Sequence, residues 1–389
     1  MWSPHLVRQR AAEKGIPPDA LQSIESTLQR LDASGVVPIL SLRHLCLLTG
    51  ASYHFLRHVI GRSGDFEPYR HYLISKRTGG KRLLAEPHPM LSHVQRWLVD
   101  NVLNKVQVHP ASRAFAPRSS IVACAAQHCG ARWLVKLDVC NFFESISEVQ
   151  VYHVFASMGY PCLVSFELSR LCSFPFYQLR PRYNTDVRNH SRPFVPSGIP
   201  SYADGRIGHL PQGAPTSPML ANLVCRDLDA HIFDAGTELG WSYTRYADDL
   251  TFSSIEADRK AVRKLMSRVA STLFHYGLTL NHKKTAVSPP GARKVVLGLL
   301  VDRDRPRLTQ AYRRSMEAHL HFAILYGIEE HSRKRGFISP LSLLQHLQGK
   351  VAFALAIGDK DAVKWQAELN TVRREFFQHA RDDYSESDI

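Results

Sequence analysis

The stretch TRYADDLTFS, Thr244 to Ser253, sets Asp248 and Asp249 side by side in a run that otherwise reads as strand. Thr, Tyr and Phe suit a pleated, half-buried surface, and Asp is among the residues that strands avoid. Two explanations fit. Asp is a common turn residue, so Ala247-Asp248 can be the bend of a hairpin with solvated charges. Alternatively, the adjacent carboxylates hold a divalent cation. Ten residues do not separate the two.

The rest of the chain narrows the choice. At 389 residues it exceeds the usual single-core size and predicts two or three domains. Hydrophobic residues make up 44% and aromatic residues 10%, a globular composition. No run of about 18 apolar residues marks a transmembrane helix, so no membrane partner is expected. The opening MWSPHLVRQRAAEKG has no apolar segment of the kind a secretory signal needs. Seven cysteines stand singly with no CxxC spacing, which points to reduced thiols in a cytoplasmic protein. The net charge of +14, concentrated in blocks such as SKRTGGKR (Ser75 to Arg82) and NHKK (Asn281 to Lys284), favours a polyanionic partner, above all nucleic acid.

Along the chain, PDALQSIESTLQRLDA and SLRHLCLLTGASYHFLRHVIG read as helices, the latter as two short ones around Thr49-Gly50. YRHYLISKR and KRLLAEP flank Thr78-Gly79-Gly80 as a basic β-hairpin. A helix is expected from Met90 to Asn104. RWLVKLDV reads as a buried strand ending at Asp138. Residues 174–209, rich in Pro, Arg, Asn, Ser and Gly, show no sustained period and read as a long loop insertion. KVVLGLLVD reads as one strand, and from Thr309 onward the pattern is helical with basic faces.

Asp138 ends an apolar strand, where a charge is costly without a partner. If that strand lies beside the Asp248-Asp249 hairpin, three carboxylates converge and repel unless cations neutralise them. Two Mg²⁺ ions about 3.5–4 Å apart solve that problem in phosphoryl transfer. Each such ion takes one or two carboxylates and completes its shell with phosphates and water.

A strand Asp followed about a hundred residues later by a Tyr-x-Asp-Asp hairpin resembles the palm of a template-directed polymerase. In this order the chain is similar to the reverse transcriptases. DVCNFFESI looks like their first-aspartate motif and LPQGAPTSPMLANL their glutamine-glycine loop with the helix after it. YADD is the second aspartate motif, GLTLNHKKT the lysine-bearing segment and VVLGLLVD the primer grip. Within the family the wording resembles the bacterial retron-type enzymes and their defence-associated relatives. Cys124-Ala125-Ala126-Gln127-His128 keeps the His but not the Asn of the retron Asn-Ala-x-x-His pattern, and Val296-Leu297-Gly298 keeps two residues of Val-Thr-Gly.

The resemblance implies an α+β right-hand polymerase: an N-terminal helical extension (1–64), fingers (65–130), palm (131–305, with the 174–209 insertion), helical thumb (306–380) and a disordered tail (381–389). It implies an RNA-directed DNA polymerase that copies a structured noncoding RNA into short single-stranded DNA in antiphage defence, with an effector protein as a further partner. Asp138, Asp248 and Asp249 would hold two Mg²⁺ ions, Mn²⁺ being a substitute. Phe143, five residues past Asp138, matches the steric gate against ribonucleotides, or else is a core residue beside Phe142. Gln212 would contact the incoming deoxynucleotide or the template base, or else is a turn glutamine, and Lys76 and Arg82 would meet the triphosphate and base, or else are solvated surface. Lys284 would protonate the leaving pyrophosphate, with Lys283 and Asn281 as rivals. Ser217 and Pro218 would brace a helix against the template, and Tyr246 would pack against the primer end. Lys350, Arg373 and Arg374 give the thumb a cationic face, with Val351, Phe353, Leu355 and Ala356 as its apolar contacts. Two alternatives share much of this pattern: a defence polymerase making untemplated or repeat DNA, and a noncatalytic RNA-binding scaffold.

Overall fold

The computed structural model describes residues 3–62, 66–75, 81–175 and 207–386. Lys76, the Thr78-Gly79-Gly80 turn and residues 176–206 of the expected insertion lie outside them. The chain divides into two compact units: Met1–Ser119, Val135–Phe252 and Ala257–Ala286 form the first, and Ser120–Leu134, Ser253–Glu256 and Val287–Ile389 the second.

The first unit begins with helices Pro4–Glu13, Pro18–Ala33, Leu42–Thr49 and Tyr53–Gly61. The last two are separated as their sequence suggests. Ser41 and Ser52 each accept a backbone N–H of the following helix, and Gly50 ends the first helix in the left-handed region at φ 71°. Strands Tyr69–Ser75 and Lys81–Pro87 then pair antiparallel, Tyr69 opposite Pro87 and Ser75 opposite Lys81. The expected long helix runs from Pro89 to Asn101, followed by a 3₁₀ turn at Leu103–Lys105.

The central sheet has the order Ser242–Tyr246, Asp249–Ser254, Trp133–Asp138, Ala286–Ser288. The first-aspartate strand therefore lies directly beside the strand that carries Asp249. Its residues are buried almost without interruption, as expected of a strand covered on both faces. Helix Arg259–His275 buries Val262, Leu265, Val269 and Leu273, one stripe at helical spacing. Ser147 opens helix Glu148–Ser157 with a reciprocal capping box to Gln150, which ends the loop after Asp138 at a defined point.

The second unit is largely helical: Gln310–Tyr326, Ile328–Arg335, Pro340–Ile357 and Ala362–Glu386 surround a core that includes Met316, Leu320, Leu343, Leu347, Val351 and Trp365. The last helix continues past residue 380, where the sequence suggests a tail. KVVLGLLVD is not one strand. Val295–Val296 and Leu299–Leu300 pair with each other, and Leu297 and Gly298 form the two-residue turn at φ 48° and 84°. An unbroken apolar run hides that turn, because its glycine is the only turn residue in it. Among the expected thumb contacts, Val351 is buried and Phe353 half-buried, whereas Leu355 and Ala356 are exposed. The inward stripe runs instead through Leu343, Leu347, Val351 and Ala354.

Gly349 sits on the exposed side of the same helix, where a Cβ would meet nothing within 4 Å. It serves no close backbone approach. Replacing it by Ala removes backbone freedom from the unfolded chain and is expected to stabilise the protein by about 0.5–1 kcal/mol. Leu347→Ala, two residues away but fully buried, is expected to cost about 2–5 kcal/mol through the cavity it leaves. Urea midpoints that move in the same direction for both variants would overturn this assignment of faces.

Candidate active site

The backbone past Asp138 ties the site together. Val139 N–H donates to the Asp248 carbonyl at 3.0 Å, and Cys140 N–H donates to the Thr279 carbonyl at 2.8 Å. Asn281 N–H donates to the Asp138 carbonyl at 2.7 Å. These bonds place the end of the first-aspartate strand against the hairpin turn on one side and the 279–284 segment on the other. Residues far apart in sequence thus bring three carboxylates into one electrostatic neighbourhood.

Asp138 is the best-compensated of them. Its side chain is 6% exposed, Oδ2 accepts from Lys284 Nζ at 2.8 Å, and Oδ1 accepts from Asn281 Nδ2 at 3.0 Å. Both Lys284 and its rival Asn281 therefore touch the same carboxylate, while Lys283 is exposed. The hydrogen bond to Asp138 holds the Lys284 ammonium above its ordinary pKa, and the charges of Asp248 and Asp249 act in the same direction. Asp248 titrates above the usual carboxylate range because it is buried and because Asp138 and Asp249 repel it. Burial also raises Asp249, which Asp138 repels, with Lys136 opposing.

That charge balance is the test of whether a divalent cation fits. Two half-buried carboxylates are held against their ionised form, and a lysine supplies the one cation bonded to the third. Among the described residues no group of three or more His, Cys, Asp or Glu side chains is arranged to hold a metal ion. An ion that takes one or two carboxylates and finishes its shell on phosphate and water suits this donor set.

Around the carboxylates, Phe143 and Tyr246 are half-buried. A third ring joins them that no sequence motif suggests. Phe115 is 43% exposed, adopts φ 62°, and lies 6.4 Å between ring centroids from both Phe143 and Tyr246. A left-handed aromatic residue is uncommon in itself. Its one sequence signal is its place in an irregular stretch, RAFAPRSS, between elements.

The glutamine-glycine loop is fixed to the basic hairpin. The Gln212 carbonyl accepts from Ala85 N–H at 2.8 Å, and a Cβ on Gly213 would come within 2.9 Å of the Ala85 carbonyl oxygen, at φ 121°. Only glycine fits there. Ser217 is buried, and its hydroxyl donates to the Pro211 carbonyl at 2.7 Å, so it braces the loop from inside, with Pro218 half-buried in the first helical turn. Arg82 is exposed on its strand.

In the second unit, Lys350 is half-buried. Its ammonium donates to Ser315 Oγ at 2.9 Å, lies over the Tyr312 ring, and is lowered in pKa by burial. Arg373 and Arg374 are exposed. His128 is fully buried, pushed down to about 4 by burial, with Nδ1 at 2.8 Å from Ser253 Oγ. The retained histidine of the Asn-Ala-x-x-His pattern is thus a neutral brace within its own unit. No helix among the described residues is long and apolar enough to cross a membrane.

Comparison with known proteins agrees with the motif order. Residues 74–299 match the reverse transcriptase (RNA-dependent DNA polymerase) family. The chain is 29% identical to the retron Ec86 reverse transcriptase of Escherichia coli over 333 residues, covering 85% of this chain and 89% of that protein. It is 31% identical to the retron Ec73 reverse transcriptase of Escherichia coli, over 70% of this chain and 82% of that one. With the retron Mx162 reverse transcriptase of Myxococcus xanthus it shares 33% identity over 75% of its own length and 61% of the relative's. Family, motif order and the mixed helix-and-sheet palm agree: this chain belongs to the reverse transcriptases of retron type, has their right-hand polymerase fold, and is an RNA-directed DNA polymerase.

Proposed function

We propose that this polymerase copies a structured noncoding partner RNA into short single-stranded DNA, using two Mg²⁺ ions held by Asp138, Asp248 and Asp249, and that it serves antiphage defence. The observation that carries the metal-dependent part is the charge balance: three converging carboxylates, two of them raised by burial and repulsion. The partner RNA and the defence role rest on the likeness to retron enzymes. A polymerase making untemplated or repeat DNA would use the same site, and sequencing the RNA and DNA that copurify with the protein separates the two. A homopolymer or simple repeat would favour that alternative, and a unique copied sequence the retron reading.

Bound divalent ions would supply charge neutralisation and an activated attacking hydroxyl. The chain's own residues do the rest. Lys284 keeps its proton at Nζ beside Asp138 and is placed to give it to the leaving pyrophosphate. Phe143 presents a ring where a 2′-hydroxyl would project. Tyr246 supports the primer end. Gln212, positioned by its loop, meets the nucleotide or template base, and Arg82 with Lys76 would reach the triphosphate from the hairpin. Ser217 and Pro218 act on the template through the loop and helix they fix. Arg373 and Arg374 offer the thumb's phosphate contacts. Lys350, whose ammonium bonds within the helical unit, would support that face rather than present the charge itself.

Asp248→Asn and Asp249→Asn are each expected to abolish primer extension in Mg²⁺ while leaving RNA binding nearly intact. Both carboxyl groups sit above their ordinary pKa, so their contribution to stability is lost as pH rises through those raised values. At neutral pH each substitution should therefore raise the metal-free melting temperature, and added Mg²⁺ should stabilise the wild type more than the variants. A variant that melts lower and still extends primers would contradict both halves.

Phe143→Ala or Phe143→Val is expected to raise ribonucleotide incorporation relative to deoxynucleotide on one template, because the ring excludes by bulk. An unchanged ratio would return Phe143 to the core. Reversing charge at Arg373 and Arg374 should weaken RNA binding and flatten the slope of log K against log salt by roughly 0.7–0.9 for each phosphate that is no longer neutralised. Affinity and slope both at wild-type values would move the RNA to another surface.

A further inference from the structure

Arg245 lies in the strand leading into the catalytic turn, and its side chain is 1% exposed against a fully buried Asp229. One guanidinium reaches four separate parts of the first unit. Nε and Nη2 donate to the two oxygens of Asp229 at 2.8 and 2.6 Å, in the bidentate geometry that suits Arg. Nη1 donates to Asn222 Oδ1 at 3.2 Å, and Nη2 to Ser112 Oγ at 3.2 Å. Nη1 also donates to the Ala247 carbonyl at 3.2 Å. Tyr243 OH donates to Asp229 Oδ1 at 2.9 Å, and Ser112 Oγ to Asn222 Oδ1 at 2.8 Å, so the network is tied together.

Such a pair is a poor device for stability alone, since well-packed apolar residues often serve as well or better. What it reaches is more informative. Ala247 adopts φ 56°, in the left-handed region where two-residue hairpin turns favour Gly or Asn. A residue with a Cβ stays there only if its surroundings hold it. The Arg245 backbone does related work: its N–H donates to the Ala111 carbonyl at 2.8 Å, and its carbonyl accepts from Arg113 N–H at 2.7 Å. Asn222 Nδ2 donates to the Ala114 carbonyl at 2.7 Å, which fixes the segment just before Phe115.

We propose that Arg245, anchored on Asp229, Asn222 and Ser112, is a positioning residue for polymerisation: it grips the Ala247 carbonyl and so holds the turn that presents Asp248 and Asp249 beside Asp138. The inference rests on those aspartates being the metal-bearing set. It goes further in assigning their placement to a buried charge that touches no substrate.

Three variants of the full chain test it. Arg245→Met with Asp229→Leu and Tyr243→Phe replaces the buried ion pair and its tyrosine by apolar groups of similar size, and leaves Asn222 and Ser112 bonded to each other. Arg245→Lys keeps a charge opposite Asp229 but cannot span Asn222, Ser112 and Ala247 together. Asp248→Asn is the control for the aspartates. Melting temperature, kcat and KM for a deoxynucleotide on a defined primer–template, and the Mg²⁺ concentration giving half-maximal rate are measured for each active variant.

The apolar variant is expected to fold with a melting temperature near wild type. Its kcat should fall by about 10²-fold, the scale of a 1 Å misplacement, with KM little changed and the Mg²⁺ requirement raised. Arg245→Lys should lose kcat in the same way. A folded apolar variant with wild-type kcat and Mg²⁺ requirement overturns the inference, because the pair is then only packing. Should the apolar variant not fold, Arg245→Lys assayed below its melting temperature decides alone, and an unaltered kcat overturns the inference. If Asp248→Asn still polymerises, the assignment of the aspartates fails with it. If Asp248→Asn is inactive while a folded Arg245 variant is fully active, only the inference about Arg245 fails.

Discussion

Mutual repulsion among three carboxylates withdrawn from water is the constraint around which the first unit is organised. Burial disfavours the charges of Asp248 and Asp249, and the nearby charge of Asp138 adds to the cost at both. A flexible backbone would let them drift apart into water. The chain prevents this with short main-chain bonds, Val139 to Asp248 and Asn281 to Asp138, which join three distant segments at the end of one sheet. It compensates one carboxylate with Lys284 and Asn281 and leaves the other two above their ordinary pKa.

The surrounding features follow from the same need for rigidity. Gly213 lets the glutamine-glycine loop press its backbone against Ala85, which sets Gln212 relative to the hairpin that carries Arg82. Ser217 uses its hydroxyl inside the loop, where it donates to the Pro211 carbonyl and holds the loop's bend. Phe115, Phe143 and Tyr246 form a chain of rings whose members come from three separate stretches. Elements that must place reacting atoms to a fraction of an ångström are commonly supported this way, by locked neighbours rather than by their own stiffness.

Some features are hidden from the sequence for definite reasons. The Leu297-Gly298 turn sits inside an apolar run, and period-2 reasoning has no polar break there to find. Lys350 has the composition of a cationic face, yet its long side chain folds over Tyr312 and bonds to Ser315, a choice that depends on which helix packs beside it. Leu355 and Ala356 look like thumb contacts in one dimension, but in a helix rich in apolar residues all round the inward face is set by its neighbours.

The sequence by itself determined the order of motifs and the pairing of a strand aspartate with a Tyr-x-Asp-Asp hairpin, and the sheet order then placed those two strands side by side. The motif order and that pairing are local patterns or family-wide spacings, and they survive in one dimension. Tertiary structure alone decided that Lys284 and Asn281 share Asp138, that Phe115 joins Phe143 and Tyr246, and that Arg245 is a buried anchor rather than one more exposed cation in a chain of net charge +14. The physical reason is that a charge's role depends on what lies within a few ångströms of it. For Arg245 those neighbours are Asp229, Asn222 and Ser112, 16, 23 and 133 residues away along the chain.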